Sequence, residues 1–150
     1  MDADTSPTVA PDSTDSSAEV DSMALARSAA DNALAFAEHL AQRFSTMAES
    51  FRAGDDSNAL TRLGESADDL EHFLTFLVLI AEMVEDTSPQ TFHALRSYRD
   101  QLMSTLEGLQ PALGDLDLVE VADTIEHDLV LSLVEYRQLS SPVQEALEAA

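Results

Sequence analysis

The chain has 150 residues, 29 of them Asp or Glu against seven Arg and no Lys, and its formal charge of −22 excludes a general nucleic-acid-binding surface. Its 45% apolar content is enough to bury a core, while 5% aromatics and four Gly beside abundant Ala and Leu favour helices. The lack of Cys removes disulfides, thiolate nucleophiles and sulfur-ligated metal sites.

Residues 1–21 combine Asp2, Asp4, Asp12, Asp15, Glu19 and Asp21 with Ser, Thr and Pro, and offer little to bury. They are predicted to form a disordered acidic tail ahead of a bundle domain at 22–150. Met1 is followed by acidic residues rather than a basic segment and an apolar run, so no secretory signal is expected and the predicted location is cytoplasmic.

From Met23 the pattern changes. Met23, Ala26, Ala30, Ala33, Ala37, Leu40, Phe44, Met47 and Phe51 recur in unbroken steps of three and four, which predicts a long helix over about 22–53. Gly54, Asp55 and Asp56 supply a stop and a new start. A second helix repeats the seam at Leu60, Leu63, Ala67, Leu70, Leu74, Leu77, Ala81 and Val84. Its C-terminal half adds Phe73, Phe76, Val78, Leu79, Ile80 and Met83, and Thr75 and Glu82 interrupt an apolar run too short for the ~20 residues of a membrane span.

Ser88 and Pro89 form a cap and first-turn pair for a third helix with Phe92, Leu95, Leu102, Leu106 and Leu109 on one face. Pro111 is expected to kink or end it, and Gly114-Asp115 to make the next turn. The fourth helix, about 116–138, uses Leu118, Ala122, Ile125, Leu129, Leu133 and Tyr136, and its Leu129–Val134 stretch is apolar on extra faces. Ser141-Pro142 is read as the start of a short last helix anchored by Val143 and Leu147. The sum is an all-α, antiparallel four-helix up-down bundle with a short C-terminal helix, whose two hairpins form a weak pseudo-repeat of about 60 residues.

Chemistry is sparse. Glu38-His39, Glu71-His72 and Glu126-His127 fall off the seams, and no Glu-x-x-His spacing exists, which argues against a ferritin-like di-metal bundle enzyme, the alternative function class. Asp69 with His72, or Asp123 with His127, would clip a metal only as isolated surface pairs. No nucleophile elbow, phosphate loop or dinucleotide fingerprint is present, so neither a cofactor, a metal site nor catalysis is predicted.

What exceeds expectation is the surplus apolar surface of Phe76, Leu79, Ile80, Met83, Val130, Leu131 and Val134. It is predicted to bind protein, through self-association or a helical client, unless the C-terminal helix folds over it as a lid. The partner is expected to be neither nucleic acid nor membrane. Ser88-Pro89, Tyr98, the leucine-rich helix and Gly114-Asp115 resemble the opening hairpin of flagellar-type export chaperones, and Gly114–Asp128 resembles small bacterial helical domains of unassigned role. The first resemblance implies a small bundle that holds a partner's helix. The all-Arg, carboxylate-rich composition resembles proteins of a salt-accumulating halophile, where screening over roughly 3 Å near 1 M salt relieves self-repulsion.

Overall fold

The computed structural model describes residues 11–150, with side chains from Ser22 onward. Its elements are α1 (Pro11–Arg52), α2 (Asp56–Val84), α3 (Pro89–Gly114), α4 (Leu118–Thr124), a π-helical turn (Ile125–Leu129), α5 (Val130–Glu135) and α6 (Arg137–Ala149). Residues 1–10 of the expected tail lie outside the described residues. The first helix starts at Pro11 rather than 22, at a residue whose fixed φ suits a first helical turn and before a run free of Gly and Pro up to Gly54.

The four rods, α1, α2, α3 and a fourth made of α4, the π turn, α5 and α6, alternate in direction, and α1 is tied to both of its neighbours, α2 and the fourth rod. Arg43 of α1 pairs with Asp69 of α2 at 2.5 Å. On the other flank Arg52 reaches Asp123 (2.8 Å) and Glu126 (2.5 Å), Glu38 accepts from Arg137 (2.5 Å), and Arg27 donates to the Leu147 carbonyl (3.2 Å). Descending numbers on α1 thus meet ascending numbers on the fourth rod. α6 continues that rod along α1, so of the two alternatives for the C-terminal helix the folded-back lid is not the one adopted.

The seam of α1 is as read: Ala26 through Phe51 are buried and Met23 is half-buried. That of α2 is rotated. Ala59, Ser66, Leu70, Phe73, Leu77, Ile80, Ala81 and Val84 are inside, Leu63 and Leu74 are partly buried, and Leu60 and Ala67 are exposed. The rotation puts the bulk of Phe73 and Ile80 into the core, where Phe73 meets Tyr136 edge-on at 5.3 Å.

The fourth rod carries the π turn where its seam takes two successive steps of four, Ile125–Leu129–Leu133. Each step of four advances about 40° past a full turn of an α-helix, and one wider turn absorbs the drift, so all three side chains stay buried. At Tyr136 the rod tightens: its N–H bonds to Leu133 O (3.2 Å), and the Ser132 carbonyl instead accepts from the Tyr98 hydroxyl (2.5 Å). α6 therefore begins at Arg137, ahead of the expected Ser141-Pro142, and Pro142 lies inside it.

Both upper turns have one geometry. At the first, Gly54 has φ 85° and Asp55 N–H bonds to Ser50 O (3.0 Å). At the second, Leu116 has φ 54° and Asp117 N–H bonds to Ala112 O (2.9 Å). These are the six-to-one bonds of a Schellman stop. The helix runs through Pro111 to Gly114, and Leu116, not Gly114, takes the left-handed position. Asp117 then caps α4 by accepting from Glu120 N–H (3.2 Å). Among the described residues, no helix is long and apolar enough to cross a membrane.

Candidate functional site

The seven residues singled out in the sequence part company. Ile80 is core at 2% exposure, and Phe76, Met83 and Val130 are half-buried against the core. Leu79, Leu131 and Val134 are exposed, at 54%, 55% and 38%. α2 and the α4–α5 part of the fourth rod each pack on α1 and α3, so they stand across the bundle's diagonal. Leu79 therefore faces a different direction from Leu131 and Val134.

What the structure assembles instead is a groove between α1 and α2. Residues three and four apart share a helix face, so Leu25, Ala29, Asn32 and Phe36 form one wall and His72, Phe76, Leu79 and Met83 the other. Between them Ala29, Ala33, Phe36, Phe73 and Phe76 line an apolar cleft of about 200 Å³. Phe73 forms its base, with ring centroids 6.2 Å from both Phe36 and Phe76. Leu25, exposed at 72%, extends the apolar wall beyond the cleft. Sequence reasoning found the α2 wall and missed the α1 wall, because small Ala residues on an outer stripe read as ordinary helix surface.

The α1 wall is poor in carboxylates for so acidic a chain. Between Ser22 and Ala48 the only carboxylates are Asp31 and Glu38. Both are turned toward the fourth rod, where Asp31 accepts from Gln144 (3.3 Å) and Glu38 from Arg137. The outer stripe Leu25, Ser28, Asn32, Ala35, His39, Gln42 and Thr46 is thus exposed and free of carboxylate.

Further up, the groove turns polar. A cleft of about 500 Å³ is walled by His39, Arg43 and Met47 of α1 and by Arg62, Glu65 and Ser66 of α2. The Asp members of the two Asp–His pairs are engaged in ion pairs. Asp69 holds Arg43; Asp123, with Glu126, holds Arg52, whose guanidinium pKa is raised chiefly by the Asp123 hydrogen bond and then by Glu126. Among the described residues no three His, Asp or Glu side chains converge as a metal cage.

Residues 29–139 match a family model described as a domain of unknown function, DUF8042. No curated protein and no solved structure matches the chain.

Proposed function

The chain belongs to the DUF8042 family, and we propose that it is a non-catalytic protein-binding bundle, adaptor-like or chaperone-like, that receives an amphipathic helix in the α1–α2 groove. The observation that carries this reading is the carboxylate-free α1 stripe bordering exposed Leu25, half-buried Phe36 and Phe76, and exposed Leu79. On a body of charge −22, most approaches by another acidic protein are repelled, and burying any carboxylate carries a desolvation cost. A face without carboxylates removes that cost on its own side, while its apolar side chains supply the attraction.

The helix comes from a client or from a second copy of this chain. Composition supports placing the protein in the cytoplasm of a halophilic prokaryote. The rival reading, a carboxylate/His di-metal bundle enzyme, lacks free ligands at Asp69 and Asp123, each of which is in an ion pair.

The test compares Leu79→Asp with Leu131→Asp by light scattering in molar KCl, together with binding of an amphipathic helical peptide. Both side chains are more than half exposed, so both variants should fold. Loss of dimer mass or of peptide binding in Leu79→Asp alone is the expected result. Equal behaviour of both variants and wild type would remove the groove from consideration.

A further inference from the structure

The polar upper half of the groove carries a second inference, independent of helix docking below it. We propose that the cleft of about 500 Å³ between His39–Met47 and Arg62–Ser66 binds the oxyanion head of a small organic acid, a phosphate or a carboxylate.

The first support is Ser66. It occupies a seam position of α2 between Ala59 and Leu70, where this helix otherwise places apolar side chains. Its residue is 1% exposed and its hydroxyl has no hydrogen-bond partner, although it lines the cleft. A buried hydroxyl is normally satisfied, so Ser66, a lining residue of the cleft, keeps a donor without an acceptor.

The second support is the convergence of cations. Arg62 lies one turn before Ser66 on the same face of α2. Across the cleft, His39, Arg43 and Met47 are stacked on successive turns of α1. Arg43 gives one Nη1–H to Asp69, while a guanidinium carries five N–H donors in a fork that matches phosphate and carboxylate oxygens. Two of the seven Arg in the chain thus line one cleft, with Glu65 as its one lining carboxylate. The volume exceeds that of a bare oxyanion and leaves space for an organic portion against Met47. The net charge of −22 opposes anions at long range, so local donors decide binding only where salt screens that field, to roughly 3 Å near 1 M.

The experiment is calorimetric titration of inorganic phosphate and, separately, citrate into the full chain in molar KCl, with Arg62→Gln, Ser66→Ala and Leu79→Asp in parallel. Arg62 is exposed and molar KCl screens the charge its loss unmasks, so Arg62→Gln should melt near the wild-type temperature, and Ser66→Ala, which deletes an unpartnered hydroxyl, at or above it. Saturable one-to-one binding of phosphate alone identifies a phosphorylated ligand, and of citrate alone a carboxylate. Either should weaken by roughly tenfold in Arg62→Gln and Ser66→Ala, the loss of one charged hydrogen bond, and stay unchanged in Leu79→Asp. No saturable binding of either anion, or equal affinity in all four proteins, would overturn the proposal while leaving the helix-docking reading to its own test.

Discussion

Two tyrosine hydroxyls in one core should behave oppositely when deleted. Tyr98 and Tyr136 have ring centroids 5.9 Å apart and are 7% and 0% exposed. The Tyr98 hydroxyl donates to Ser132 O, a carbonyl that lost its helical partner when the chain tightened at Tyr136. Tyr98→Phe leaves that carbonyl buried and unsatisfied, at a cost of about 1–3 kcal/mol. The Tyr136 hydroxyl has no partner, so Tyr136→Phe removes an unmet desolvation cost and should be neutral or stabilising by up to about 1 kcal/mol. For a chain of this size each kcal/mol moves Tm by roughly 2–4 °C, so thermal melts in molar KCl should separate the two variants clearly. Equal losses in both, or a larger loss in Tyr136→Phe, would refute the hydrogen-bond accounting.

Three further outcomes are expected. Burial pushes the Tyr136 hydroxyl up to about 12 and Tyr98 higher still, by burial and then the neighbouring Tyr136 and Glu135. Because both folded values lie above the unfolded value of about 10, their contribution is complete below that pH and lost as pH rises toward the folded values. With no Lys, Cys or Trp to confuse the signal, tyrosinate absorbance and loss of helicity should appear in one step above pH ~10; ionisation with the helix signal intact would contradict this. Leu116→Gly should raise stability by about 1 kcal/mol in denaturant titration, since Leu116 is 67% exposed and holds a left-handed φ of 54° that penalises any Cβ; a loss would mean that its side chain packs after all. Screening of −22 charges should make Tm climb steeply between dilute buffer and molar KCl, and a flat profile would exclude self-repulsion as a significant cost.

The helices were legible because their seams are long. Nine positions from Met23 to Phe51 fix the phase of α1 without ambiguity, whereas α2 offers two interleaved apolar rows, and the core takes Leu70, Leu77, Ala81 and Val84 from the expected row and Phe73 and Ile80 from the other, leaving Leu60 and Ala67 outside. Periodicity does not say which of two adjacent faces looks inward when a helix has neighbours on both sides. The double step of four at Ile125–Leu129–Leu133 was already a visible irregularity, and the π turn is its structural expression. The second upper turn, expected at Gly114-Asp115, falls slightly later, with Leu116 in the left-handed position and Asp117 as the cap of α4, because α3 continues through Pro111 to Gly114. The α2 wall of the groove was partly foreseen. The α1 wall was not, since it is marked by where carboxylates are missing, and that shows only once Asp31 and Glu38 are known to turn away.

That missing charge also bears on kinetics. A negative shell interrupted by carboxylate-free faces is an orientation filter: collisions with other polyanions are deflected unless they arrive over a face such as the α1 stripe, so fewer encounters occur but a larger share begin close to a docked pose. Raising salt opens the remaining directions and lets unproductive encounters through. Association rate and orientational selectivity should therefore respond to ionic strength in opposite senses, an ordering that a uniformly charged bundle of the same net charge would not show.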